Sequence, residues 1–211
     1  MAGYTYTTLT QAIKDYSDNT ESVFVNNIDN FIQSAEDRIL KAAPLEVFRT
    51  NATTTTLSGN KYLPKPTDWL YTFSVSIVDG SSNKKFLLNK DVNFLQDYWP
   101  NATATGEPKY YSDFNHDTFI IAPTPSGGFV TEIHYFYRPQ SLVAAPTGVT
   151  WLSENAGPAL LYGSLVEAYT FMKGEQDMLA QYEQAFQREL ERLVAFANQA
   201  EGLDFYRRSG A

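Results

Sequence analysis

Apolar positions recur with a helical period at both ends of the chain and with a period of two in its middle. Near the start, Leu9, Ile13 and Tyr16 are spaced by four and three, and Thr8 is placed to cap a short helix. Across 21–43, Phe24, Ile28, Phe31, Ile32, Ala35 and Ile39 form one stripe, while Asn27, Asp29, Asp37 and Arg38 fall mostly off it. Pro44 pushes the residue before it out of the α region, so this helix is expected to stop by Ala43.

The pattern then changes. Leu70–Val78 alternates, with Tyr71, Phe73, Val75 and Ile77 on one face and Thr72, Ser74 and Ser76 on the other. Asp79-Gly80-Ser81-Ser82-Asn83 reads as a turn into a return strand at Lys84–Leu88. Asp91 can cap one helical turn through Phe94, Leu95 and Tyr98, ended by Pro100. Lys109–Phe114, Thr118–Ala122 and Phe129–Tyr137 follow as strands divided by turn residues. This middle predicts a small antiparallel sheet or sandwich.

Helical spacing returns after Trp151. Pro158 suits a first turn, and Leu161, Leu165, Val166 and Tyr169 continue it until Gly174. Leu179, Tyr182, Phe186, Leu190, Leu193 and Ala197 then mark a second helix over 175–200, about 39 Å long at 1.5 Å per residue. The expected class is α+β. Residues 1–45 and 151–200 would form one discontinuous helical domain, 46–150 a β-rich insertion, and 201–211 a C-terminal arm.

Composition narrows the function. At 211 residues the chain suits one compact unit with an appendage. It has no cysteine, which excludes disulfides, thiolate metal sites and a thiol nucleophile. The net charge of −8 argues against a grip on nucleic acid through a general basic face, or adhesion to an anionic membrane. The acidic excess reads as spread along the chain, with no acidic tail or basic arm. No stretch of 18 apolar residues occurs and Met1–Thr10 is polar, so the expectation is a soluble protein of the cytoplasm, or of a particle assembled there.

Candidate chemistry is sparse. A serine–histidine–acid constellation would need His116 or His134 beside an activated serine, and no G-x-S-x-G elbow is present. His134 alternates with Glu132 on one strand face and reads as a packed or solvent-facing histidine; His116 sits at a turn tip. Glu107, Asp113, Asp117 and Glu154 offer carboxylates for a glycosidase pair, but none carries a local motif. Ser126-Gly127-Gly128 is a turn, and two separated histidines give no metal spacing. No enzyme, no cofactor and no metal are expected. Tyr98, Trp99, Tyr110, Tyr111 and Phe114 gather near predicted loops, in excess of what a core absorbs, and point to a protein–protein interface or a carbohydrate-binding sandwich.

The order of segments resembles the head-to-tail adaptor (connector) proteins of tailed bacteriophages, especially short-tailed ones. Phe31-Ile32-Gln33-Ser34-Ala35-Glu36-Asp37-Arg38-Ile39 resembles their first long helix, with its acid–basic pair after an alanine. Tyr62-Leu63-Pro64 and Asp68-Trp69-Leu70 resemble the leucine–proline entry to the first main strand, lengthened here by Lys65, Pro66 and Thr67. Gly106-Glu107-Pro108-Lys109-Tyr110-Tyr111, then Ile120–Pro125 and Phe129–Pro139, resemble the next strand and the closing hairpin. Trp151-Leu152 and the helix 160–173 follow in order, so the similarity spans about residues 20–195.

The resemblance implies a ring of adaptor subunits, commonly twelve, beneath the portal protein ring in the neck of the virion. Such a ring extends the DNA exit channel, lets genomic DNA pass, and offers a platform to tail nozzle or tail tube proteins. A long helix can bury its stripe inside its own subunit or against a neighbour, so Tyr182, Phe186 and Leu190 are candidate subunit-interface residues. After the helix stop at Gly202, the apolar, aromatic and basic Leu203, Phe205, Tyr206, Arg207 and Arg208 are candidate portal contacts, in the place where several related adaptors carry a portal-binding arm. The competing expectations are a carbohydrate-binding or cell-wall-acting virion tail protein and a generic tail-completion protein.

Overall fold

The computed structural model describes residues 3–43, 45–101, 103–145 and 147–201. In chain order these form helices α1 (Tyr6–Ser17), α2 (Ser22–Val25) and α3 (Ile28–Ala42), then strands β1 (Arg49–Thr55), β2 (Tyr62–Pro64), β3 (Trp69–Val78) and β4 (Lys84–Asn89). Helix α4 (Val92–Tyr98), strands β5 (Tyr110–Asp113), β6 (Thr118–Ala122) and β7 (Val130–Tyr137), and helices α5 (Trp151–Asn155), α6 (Gly157–Met172) and α7 (Gln176–Glu201) complete the order. The fold is α+β. It divides into two compact units: Val47–Arg138 is one, and the chain on either side of it supplies the other.

In the helical unit, α6 is buried nearly all round, through Ala159, Leu160, Leu161, Gly163, Ser164, Leu165, Val166 and Ala168. A helix without a polar face belongs at the centre, and α1, α3, α5 and α7 pack on it. Thr5, not Thr8, caps α1; Thr8 is the third residue of the helix and returns its side chain to the Thr5 backbone, closing a capping box. The helix read over 21–43 is two helices. Asn27 Nδ2 donates to the Val23 carbonyl at 2.8 Å, so a side chain takes the acceptor that a continuing helix would use. Before Pro44 the backbone turns extended at Ala43, as the proline dictates.

The β unit holds seven strands in the order β1-β7-β3-β4-β5-β6-β2. All neighbours are antiparallel except β4 and β5. A parallel pair needs a crossover, and α4 supplies it; the sequence reading of a purely antiparallel sheet missed this. One face of the sheet carries the core of Leu63, Val75, Ile77, Leu87, Tyr111, Phe119, Ile121, Ile133 and Tyr135. On the other face α4 lays Leu95 over Ile120 and Ala122. Strand β6 is therefore buried on both sides, which is why Thr118–Ala122 is a continuous apolar run rather than an alternating one.

Strand β3 departs from simple alternation. Register shifts fall between Trp69 and Tyr71 and between Thr72 and Ser74. Each adds a residue, so Tyr71 ends on the face opposite Val75 and Ile77, stacked on Phe136 with centroids 4.5 Å apart. Phe73, left in the bulge, is 54% exposed beneath the Arg49 guanidinium. Residues 139–150, read from the sequence with the β region, group with the helices.

Candidate functional site

The motif after Ala35 assembles the helical unit. Glu36 is buried, and its Oε1 accepts the backbone N–H of Leu142 at 2.8 Å. Burial pushes its carboxyl above the usual range, although hydrogen bonds from Ser141 and Leu142 pull the other way. Asp37 pairs with Lys41 one turn on. Arg38 donates to both carboxylate oxygens of Glu183 in α7, at 2.7 and 2.9 Å, lies 3.7 Å from Glu167 in α6, and covers the Phe186 ring at 4.3 Å. One arginine thus ties three helices together.

The three α7 residues singled out from the sequence occupy different environments. Phe186 is 1% exposed and fills the space left by Gly163, whose missing Cβ would lie 2.9 Å from Ala35 and 3.0 Å from the Phe186 ring. Its side chain belongs to the core of its own subunit. Tyr182 is half-buried against the rings of Tyr162 and Tyr169, and burial together with a hydrogen bond to Tyr169 pushes its phenol up to about 12. Leu190 is half-buried, and Phe196, one turn beyond the stripe's Leu193, is 60% exposed. A hollow of about 290 Å³ opens beside Phe196, between Trp151, Asn155, Glu189 and Arg192.

The aromatics expected on the surface divide. Tyr111 is core, 4% exposed, because successive strand residues face opposite sides. Its neighbour Tyr110 meets Phe94 and Tyr98 edge-on at 5.3 and 4.8 Å, and those two rings stack at 5.9 Å. Tyr110 pairs with Leu88 across the parallel strands, which extends the band to Leu88 and Phe86, 58% and 60% exposed. Lys84 and Lys90 lie over Phe86 and Phe94, and Lys85 and Lys109 line the same shallow depression. Alternation and helical spacing predict each ring singly; their union needs the β4–β5 pairing, which no local pattern reveals. Trp99 turns inward, donating its indole N–H to Ala104, and Phe114 packs on Tyr62.

Charge is divided between the units. Residues 47–138 carry eight basic and eight acidic side chains, whereas residues 1–46 and 139–201 carry six and fifteen. The acidic excess read as spread along the chain sits in the helical unit.

The structure does bring one serine, one histidine and one acid together. Ser74 Oγ lies 3.0 Å from His134 Nδ1, and His134 Nε2 lies 3.1 Å from Glu132 Oε1. Glu132 also pairs with Lys84 and accepts from Asn51 at 3.1 Å, and the Lys84 hydrogen bond holds its carboxyl below the usual range. The group stands on the sheet face away from the core, spread over four strands. The candidate carboxylates have separate surroundings: Glu107 pairs with Lys85 and Asp113 with Lys65, Asp117 is exposed beside His116, and Glu154 belongs to the helical unit. Among the described residues, no group of three His, Cys, Asp or Glu is placed to hold a metal, and no helix is long and apolar enough to cross a membrane.

Leu203, Phe205, Tyr206, Arg207 and Arg208 lie outside the described residues. No curated protein matches the chain. A family model does, from residue 4 to residue 209, a span that takes in the motif helix, the whole β unit and the long α7, and the chain belongs to the SU10 adaptor protein family.

Proposed function

We propose that this chain is one subunit of an adaptor ring that joins the portal to the tail and extends the DNA exit channel. Membership of an adaptor family supports a structural role in the virion neck over an enzymatic one. The observation that carries the ring is α7. Its stripe is only partly used by its own subunit, with Phe186 in the core but Tyr182 and Leu190 half-buried and Phe196 exposed. A 26-residue helix with such an edge suits lateral packing between repeated copies. Tyr182 and Leu190 contribute the contact, and Phe186 fixes the helix from behind. The segment Leu203–Arg208 reaches the portal, because aromatic and arginine side chains dominate interface energetics. The net charge of −8 per copy repels phosphate, so DNA passes without adhering.

Native mass spectrometry of the chain with and without isolated portal rings tests this reading. Many copies gathered on each portal ring are expected. A monomer that ignores portal but binds glycans would favour the second reading, a carbohydrate-binding tail protein, for which the Phe94–Tyr98–Tyr110 cluster is the supporting observation.

A further inference from the structure

We propose that the lysine-flanked aromatic band of the β unit is the surface that receives the acidic helical unit of a second copy. This rests on the adaptor-ring reading above and adds the face that the neighbouring subunit uses.

The band is contiguous. Phe86 and Leu88 project two residues apart from β4, Tyr110 lies beside Leu88, and Phe94 and Tyr98 close against Tyr110. Leu88 and Phe86 are each close to 60% exposed, and Phe94 and Tyr98 about 40%. Large apolar groups grouped in this way mark a surface made to be covered.

Charge selects the occupant. Two helical units, each with an excess of nine carboxylates, repel one another. The band offers a helical unit a different counterpart. Lys85 already holds Asp79 and Glu107, and Lys84 holds Glu132, so the surface is close to neutral rather than acidic. Lys90 and Lys109 add positive charge beside Phe94 and Tyr110. Such a surface suits an acidic helix, and α7 with the residue before it presents exposed carboxylates at Glu175, Asp177 and Glu191, with the exposed ring of Phe196 further along the helix. Contact between two different faces is heterologous, the kind that repeats around a ring. Single-stranded nucleic acid also uses aromatics and lysines, but it needs a strongly positive groove, and the acids paired to Lys84 and Lys85 remove that.

The test mixes ordinary and 15N-labelled protein at high concentration and joins amines to carboxylates with a zero-length carbodiimide. Mixed-isotope peptides linking Lys85, Lys90 or Lys109 to carboxylates between 175 and 191 are expected. The double substitution Phe86→Ser, Leu88→Ser should cut their yield at least tenfold. Both side chains are mostly exposed, so circular dichroism and melting should stay close to those of the parent. Links confined to peptides of a single label, or mixed links that survive the double substitution, would overturn the proposal. Binding of oligothymidylate that the same double substitution abolishes would overturn it in favour of nucleic acid. Repeating the cross-linking on isolated portal rings separates this inference from the reading beneath it. Many copies captured without mixed links from these lysines removes the inference and leaves the connector. Mixed links without any capture by portal does the reverse.

Discussion

The backbone N–H of Leu142 donates to Oε1 of Glu36 at 2.8 Å, joining positions 106 residues apart. Glu36 lies on α3, before the β unit, and Leu142 opens the first turn of chain after it, so this bond fastens the two helical segments to each other. Both partners are buried, and removing the acceptor strands an N–H away from water. Glu36→Ala should cost about 1–3 kcal/mol. Glu36→Gln keeps an acceptor and should cost less. The raised carboxyl fixes the sign of the pH effect: wild-type stability from this group is full below the unfolded value of about 4.3 and is lost as pH rises through the folded value. The Gln variant should therefore gain on wild type as pH rises. Thermal melts at pH 4 and pH 8 decide it; a Gln variant that falls further behind wild type at pH 8 than at pH 4 refutes the assignment.

Gly163 faces Phe186 so closely that an added Cβ would meet the ring at 3.0 Å and Ala35 at 2.9 Å. Helix propensity alone favours alanine over glycine by about 1 kcal/mol. Overpacking in a filled core costs about 1–3 kcal/mol, so Gly163→Ala should destabilise on balance. Phe186→Ala should cost about 3–5 kcal/mol, and Leu190→Ala clearly less, because Leu190 is only half-buried. Denaturant melts of the three variants check the order. Equal losses for Phe186→Ala and Leu190→Ala would mean that the stripe is buried evenly.

Much of this architecture is legible in the residues, for stated reasons. Periodicity located α1, α3, α6 and α7 because each buries one stripe or, for α6, its whole surface. What it missed were non-local events. The bulges in β3 turn Tyr71 away from Val75, and alternation alone cannot show an inserted residue. The split at Asn27 depends on one side chain taking the Val23 carbonyl. His134 read as a packed or solvent-facing histidine beside Glu132, and its contact with Ser74 was not legible because it arises only through the β3–β7 pairing, 60 residues away in sequence. Phe186 read as an interface candidate, because a stripe does not reveal which of its members face a neighbouring helix of the same chain.

Asp79 sits in the turn between β3 and β4, and its Oδ1 accepts the backbone N–H groups of Asn83 and Ser81 at 2.9 and 2.8 Å. The Asn83 bond, followed by Lys85, brings its carboxyl down to about 2. For a lowered acid the contribution to stability is present above the unfolded value and disappears as pH falls through the folded one. Carbon-detected NMR should show Asp79 titrating near 2, and Asp79→Asn should flatten the loss of stability between about pH 4 and pH 2. A midpoint near 4 would show that the turn does not hold the ionised form.

Lys65 stands in the stretch that lengthens the entry to β3. Its side chain is 2% exposed, yet its ammonium reaches Asp113 at 2.7 Å and the Asn115 carbonyl at 2.9 Å, over Trp69 at 3.5 Å. A buried charge is costly mainly when its partner is removed. Asp113→Ala should therefore destabilise more than Lys65→Met, by about 1–3 kcal/mol after allowance for the half-exposed carboxylate. Chemical denaturation of both variants measures the difference. The opposite order would mean that Trp69 and Phe119, not Asp113, hold the cation.

Truncation after Glu201 separates two roles for the last ten residues. Leu203, Phe205 and Tyr206 are apolar, and Arg207 and Arg208 are basic, in a chain whose helical unit is otherwise acidic. If they contact portal, the shortened protein should melt within about 0.5 kcal/mol of full length, as a change remote from the core does, while its capture by isolated portal rings falls at least tenfold. The rival place is the hollow beside Trp151, Glu189 and Phe196, which α7 lines near its end. Three large apolar groups seated there would add the stabilisation of a buried side chain, about 1.5–3 kcal/mol each when fully covered. Truncation would then lower the melting temperature and leave portal capture to the helical body. A melt unchanged and a capture undiminished would exclude both roles. Paired substitution of Arg207 and Arg208 by Ser refines the first outcome, since loss of charge alone should weaken capture most at low ionic strength.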